Sequence, residues 1–330
     1  MRQEPPVPLL RRQITALIFL GLTALPAYSG EMWITNEKDN TVSVIDTDTL
    51  EVTATYNVGL RPRGITFAHD FSELYVAASD DDTVEVLDPE TGLVLRRLTS
   101  GEDPEQFALH PNNRLLYIAN EEDALATVLD VKTGEVIAEI DVGIEPEGMA
   151  ISPNGKIAVV TSETTNMVHW IDTEKSEIFN NTLVAQRPRF AEFSATGDRL
   201  WVSSEIGGTV AIIDTATQTV LETLSMHIPG ISDDLIQPVG IKLSADGKLA
   251  FVALGPANHV AVIDQQSFDI IDYILVGRRV WHLAFDQGEQ RIYTTNGISG
   301  DVTVVDVARM KAIKTIKVGR FPWGAAFRPD

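Results

Sequence analysis

There is no cysteine in these 330 residues. That absence excludes disulfide bonds, thiolate nucleophiles, cysteine-ligated zinc and covalent c-type haem attachment. Basic side chains are scarce beside acidic ones, 26 Lys and Arg against 47 Asp and Glu, for a formal charge of −21. Such a field repels phosphate backbones and anionic lipid, so nucleic-acid binding is not expected. No Gly-x-Ser-x-Gly elbow, phosphate-binding glycine loop or calcium loop of EF-hand spacing stands out. Nucleophilic catalysis therefore has no visible candidate, and no catalytic residue is assigned. The histidines (His69, His110, His169, His227, His259 and His282) form no tight pair along the chain, and no metal site is assigned.

What the chain does have is a repeat. Asp46, Asp88, Asp130, Asp172, Asp214, Asp264 and Asp306 each close an alternating apolar stretch such as Thr41-Val42-Ser43-Val44-Ile45-Asp46. The intervals are 42, 42, 42, 42, 50 and 42 residues. Thirteen residues before each aspartate stands an aromatic or valine: Trp33, Tyr75, Tyr117, Val159, Trp201, Phe251 and Tyr293. These open a first alternating strand, and the aspartate ends a second. A turn such as Asp88-Pro89-Glu90-Thr91-Gly92 leads to a third. A proline 16 residues past the aspartate (Pro62, Pro104, Pro146, Pro188, Pro322) opens a fourth, with Val280 in that slot in one copy. Proline donates no ladder bond and suits a strand entrance. A fixed period built of four strands predicts an all-β propeller of antiparallel blades. The first copy lacks its proline-led strand, and the chain ends with one, Pro322 to Phe327. The C-terminal strand is therefore expected to complete the N-terminal blade, giving seven blades closed without disulfides.

The first 29 residues stand outside the repeat. Arg11-Arg12, the apolar run Ile14 to Leu22 and the small residues Ala27 and Ser29 read as a secretory signal peptide, cleaved after Ser29 or, alternatively, after Ala27. The expected organisation is a leader over 1–29 and one propeller domain over 30–330, without a membrane span after signal removal. A periplasmic location follows as the simplest reading.

Phrases such as Tyr117-Ile118-Ala119-Asn120, Tyr293-Thr294-Thr295-Asn296 and Val318-Gly319 resemble those of the YVTN-repeat β-propellers, over essentially all of Met32 to Pro329. The chain is further similar to exported propellers associated with PQQ-dependent catabolism. That resemblance implies a pathway context rather than a reaction. Its implied partners are a periplasmic quinoprotein dehydrogenase, a c-type cytochrome or an ABC transporter component. Turns like Asp88 to Gly92 resemble those of quinoprotein dehydrogenases, but the tryptophan after that turn and the adjacent cysteine pair are missing. PQQ binding by this chain itself is not expected, and no cofactor is assigned.

Candidate functional positions lie where the copies differ at the upper face, at the mouth of the channel. The residue after each proline slot gives a ring of Arg63, Glu105, Glu147, Arg189, Val239, Trp281 and Trp323. Neighbouring opposite charges in it read first as inter-blade ion pairs, each worth 0 to ~1 kcal/mol if exposed. As a site, the arginines would grip a carboxylate and the tryptophans offer a flat apolar surface. His282 follows Trp281. The one long interval places eight extra residues in the loop Met226 to Ile236, whose apolar content predicts packing over the mouth or against a partner. Met226 and His227 belong to it, and His227 is expected to reach towards His282. The functional expectation is a non-enzymatic periplasmic binding or scaffold protein linked to quinoprotein alcohol catabolism. The alternative is a metal-dependent hydrolase or lactonase-like propeller.

Overall fold

Seven four-stranded antiparallel sheets stand around a central channel in the computed structural model, which describes residues 1–3 and 29–330. Nearly all of the leader assigned to 1–29 lies outside the described residues. The first sheet joins Pro322–Pro329 to Gly30–Asn36, Thr41–Asp46 and Glu51–Asn57, so the end of the chain supplies the innermost strand of blade 1. Blades 2 to 7 follow in order, and their innermost strands are Pro62–Phe67, Pro104–Leu109, Pro146–Ile151, Pro188–Phe193, Ile241–Leu243 and Val280–Phe285. Among the described residues the only helical pieces are two short 3-10 turns, Ser79–Asp81 and Asp233–Leu235.

The landmark aspartates turn out to be turn-builders. Asp46 Oδ1 accepts from the backbone N–H of Asp48 and Thr49, and Asp88, Asp130, Asp172 and Asp264 repeat this bonding pattern. Each satisfies two turn donors that the ladder leaves unpaired. Apolar alternation on the second and third strands of each blade buries both sheet faces against neighbouring blades, with Trp33, Tyr75, Tyr117, Trp201, Phe251 and Tyr293 all at 1% exposure or less. Hydroxyls stitch one blade to the next: Thr35 Oγ1 donates to Arg63 O, Ser203 Oγ to Val239 O and Thr295 Oγ1 to Trp323 O.

The innermost strands converge closely. A Cβ added at Gly240 would lie 2.7 Å from Trp281 O and 2.8 Å from His282 Cα, so the approach of blades 6 and 7 requires glycine there. At this register the seven blades read Gly64, Gln106, Gly148, Phe190, Gly240, His282 and Gly324. The three larger side chains, on blades 3, 5 and 7, thus project into a channel narrowed by bare backbone.

The long loop packs otherwise than expected. Met226, Ile228 and Ile236 are buried in one cluster with Trp201, Val252, Leu254 and Ala257, filling the seam between blades 5 and 6 instead of covering the mouth. Its apolar residues found a partner inside their own chain, in the groove between the two consecutive blades that the loop connects.

A buried ionic plug above a central chamber

The ring after the prolines lies at the upper end of the channel, and it is mostly buried: Glu105 0%, Glu147 2%, Arg189 6%, Val239 1% and Trp323 1% exposed. The inter-blade ion pairs form here as buried pairs, because converging strands carry these side chains inward. Arg63 pairs with Glu105, and Arg189 pairs with Glu163 and, at 2.9 Å, with Glu147. Around them Arg61 meets Asp103, Arg187 meets Glu163 at 2.6 Å, and Arg279 meets Glu205 at 2.9 Å. Arg279 also lies 4.3 Å from the centre of the Trp281 ring, and Arg63 5.5 Å from that of Trp323. The tryptophans are faces for the protein's own guanidiniums.

The plug is rich in acid. Five arginines (61, 63, 187, 189 and 279) share their contacts with Asp80, Asp103, Glu105, Glu147, Glu163 and Glu205, and Glu121 adjoins Glu105. Excess buried carboxylates must hold protons. Burial and the charge of Glu105 push Glu121 up to about 8, and the same two causes push Asp103 to about 6 against the pull of Arg61. Burial raises Glu147 well above the carboxylate range despite Arg189. Burial works the same way on Glu105, but Arg63 and Arg61 outweigh it and hold that carboxylate ionised. Oxygens of Asp103, Glu105 and Glu121 gather within 4.8 Å of one another, and the guanidiniums of Arg61 and Arg63 already supply the counter-charge there.

This arrangement fixes a pH response. Folded Glu121 keeps its proton up to about 8, whereas the unfolded chain releases it near 4.5. The stability it contributes is present below the lower value and is lost as pH rises through the upper one. Glu121 is only half-buried, so the loss between about pH 5 and about pH 9 should be about 1–2 kcal/mol after solvent screening. Glu121→Gln should flatten that slope in urea unfolding; an unchanged slope would mean that another group titrates.

Below the plug the channel widens into a chamber of about 580 Å³. Its lining includes Ala68, His69 and Phe71 of blade 2 and Asp286, Gln287 and Glu289 of blade 7, residues at the far ends of the innermost strands, so it opens on the lower face. Its ceiling is the Gln106, Phe190 and His282 layer. Gln106 Nε2 and His282 Nε2 stand 3.4 Å apart, and the His282 ring centre is 4.3 Å from that of Trp323 and 5.4 Å from that of Phe190. Burial, helped by Arg189 and Arg63, drops His282 to about 3, so it is a neutral imidazole.

Of the candidate residues, Arg63, Glu105, Glu147, Arg189, Trp281, His282 and Trp323 therefore come together around the channel, and His282 and Trp323 also touch the chamber. Met226 and His227 do not join them. The side chain of His227 is 72% exposed, its Nδ1 lies 3.0 Å from Asp233 Oδ1, and its backbone N–H donates to Tyr273 Oη on the outermost strand of blade 6. The metal-binding pair that a hydrolase would need from His227 and His282 is thus not assembled.

One register was missed. Four residues past the proline slot the blades read Thr66, Ala108, Ala150, Glu192, Lys242, Ala284 and Ala326. Five small uncharged residues and two adjacent charges form a departure as plain in the sequence as that at the mouth. It lies mid-strand, away from the strand entrances where the mouth residues stand. Glu192 and Lys242 pair at 3.0 Å across the chamber wall.

Fold and site define a seven-bladed β-propeller with a sealed upper end and an open lower chamber. Comparison with known proteins agrees on the class. Residues 65–189 match the sequence model of the YNCE-like beta-propeller family. No curated protein matches the chain. Among solved structures it is similar to a Kuenenia stuttgartiensis hydrazine synthase chain, with a TM-score of 0.78 and 19% identity over 84% of this chain and 93% of that one. A functionally unknown protein from Desulfotomaculum acetoxidans superposes with a TM-score of 0.78 at 18% identity, covering 92% of this chain and 100% of the other. The dihydro-heme d1 dehydrogenase NirN, solved in complex with DHE, reaches 0.68 at 14% identity, over 92% and 78%. At these identities the likeness is one of fold.

Proposed function

We propose that this chain is an exported, non-enzymatic binding protein whose central chamber holds a small organic ligand, serving quinoprotein-linked oxidation in the periplasm. The observation that carries the binding reading is the chamber itself. A space of about 580 Å³ falls within the range of small-molecule sites, and its lining mixes aromatic and aliphatic side chains with convergent polar groups. The ionic plug supports the same direction of access, because its arginines pair with its own carboxylates across the upper mouth and leave the lower opening as the way in. The pathway context rests on the resemblance to exported PQQ-associated propellers. The partners it suggests, a quinoprotein dehydrogenase, a c-type cytochrome or a transporter component, would dock on the outer surface, where the charge of −21 favours a basic partner.

Thr66 lines the chamber and makes no side-chain hydrogen bond, so Thr66→Trp should fill the space without unfolding the protein. Ligand-observed NMR with a fragment library is expected to give hits with the parent protein, and the Trp variant should lose most of them. Hits that survive in that variant would place the binding site outside the channel.

A further inference from the structure

Nothing in the repeat calls for charge at the register of Glu192 and Lys242. Five blades place Thr66, Ala108, Ala150, Ala284 and Ala326 there, and the sheets close equally well around them. An ion pair at the wall of an internal cavity is weak support for a fold, because desolvation offsets most of its attraction. Its detailed bonding is also incomplete. Glu192 Oε1 accepts from Lys242 Nζ at 3.0 Å and from the Leu243 N–H at 3.4 Å, whereas Oε2 is buried without a hydrogen-bond partner. The Glu192 side chain lies deep in the protein yet remains 18% exposed, because it faces the chamber.

The charge balance of that space is one-sided. Among the described residues lining the chamber, Lys242 is the single lysine or arginine, against Glu192, Asp286 and Glu289. Burial raises the pKa of Glu192, with Lys242 pulling against it, and burial also raises that of Asp286. Both carboxyls would be relieved by a positive charge brought into the chamber. The lining also carries aromatic rings, with Phe67, Phe107, Phe190, Phe285, Phe327 and Trp323 on five blades. Carboxylate beside aromatic faces is the chemistry that selects an organic cation: the charge-assisted bond holds the ammonium, and the rings favour its polarised N–H and C–H groups and its apolar body.

We propose that the chamber takes an organic ammonium ion with an apolar or aromatic body, its N–H groups held by Glu192 and its body lying against Phe190 and Trp323. A turn of the Glu192 carboxylate about its terminal bond brings the unpaired oxygen to the ligand while the other keeps Lys242. Lys242 acts as a built-in competitor that partly neutralises Glu192 when no ligand is bound. The proposal rests on the chamber being the binding site and goes on to name what enters it.

The test is isothermal titration of the full chain, leader removed, with 2-phenylethylamine, 3-phenylpropionate and 2-phenylethanol, three probes of similar shape and different charge. The amine should bind most tightly. Glu192→Gln, which retains an acceptor for Leu243 and Lys242, should weaken it by about tenfold or more through loss of the charge-assisted bond. Lys242→Met should strengthen it severalfold, and a thermal melt checks that each variant is folded. Thr66→Trp should abolish binding. Tighter binding of 3-phenylpropionate, lost in Lys242→Met, would overturn the ammonium assignment and leave the chamber as the site. Amine binding that ignores both Glu192→Gln and Thr66→Trp would overturn the proposal by placing the amine elsewhere. Failure of all three probes would also overturn it, while the fragment experiment with Thr66→Trp would still decide whether the chamber binds anything.

Discussion

Removal of residues 322–330 should leave a protein with no cooperative thermal transition. That segment pairs with Gly30 to Asn36 in a ladder that sets Met32 opposite Phe327 and Trp33 opposite Ala326. It buries Trp323 to 1% exposure and ties the strand to blade 7 and to its own blade: Thr295 Oγ1 donates to Trp323 O at 2.6 Å, and the Gly324 N–H donates to Thr35 Oγ1 at 2.8 Å. Without the segment Met32, Trp33 and Ile34, now at 0–1% exposure, face an open edge, and the ring loses its closing contact. Loss of a buried tryptophan alone is worth about 3–5 kcal/mol. Total stabilities of ordinary domains are about 5–15 kcal/mol, so strand and ladder together exceed what the fold can lose. Circular dichroism melting and size-exclusion chromatography of the truncated protein would show it. A sharp transition within a few degrees of the parent would mean that six blades and an incomplete seventh hold without this latch.

The second large effect lies in the plug. Arg189→Ala should destabilise the protein by about 3–5 kcal/mol, the usual consequence of stranding buried charge. Arg189 lies 2.9 Å from Glu147 and 3.8 Å from Glu205, also pairs with Glu163, and all four side chains are 6% exposed or less. The loss should be smaller near pH 5 than near pH 8, because the stranded carboxylates can take up protons at the lower value. Glu147 already leans that way, since burial raises its pKa even with the arginine present. Arg189→Lys should recover only part of the loss, because an ammonium cannot reproduce the forked guanidinium contacts. Adding Glu147→Gln and Glu163→Gln to an Arg189→Met background should recover more. Urea midpoints of these variants at the two pH values decide the matter, and a loss near 1 kcal/mol would mark the pairs as behaving like exposed ones.

Much of this could be read from the chain, and particular residues show where reading stopped. The seven aspartates announced seven turns because an aspartate two residues before an unpaired N–H is a local device, independent of what packs nearby. Pro322 to Phe327 announced closure because the first copy was one strand short. Arg63, Glu105, Glu147 and Arg189 were found as a ring, but their burial was not. The depth at which a charge lies depends on how closely strands 42 residues apart converge, and that was set by glycines such as Gly240 and Gly324. The loop from Met226 to Ile236 was found by its length, while its destination was a groove between Trp201 and Ala257 that exists only once two blades stand side by side. Glu192 and Lys242 stood in the open as the two charged members of a small-residue register; what gives them meaning is the space in front of them.

The amino-acid sequence by itself determined the blade, its number of copies and the way the ring closes, because strand alternation, turn chemistry and repeat length act within some 42 residues. The tertiary structure alone decided which end of the channel is sealed, which charges are buried and where an accessible chamber remains. Those properties belong to the converging of seven strands on one axis, and burial, pairing and empty volume are sums over all of them.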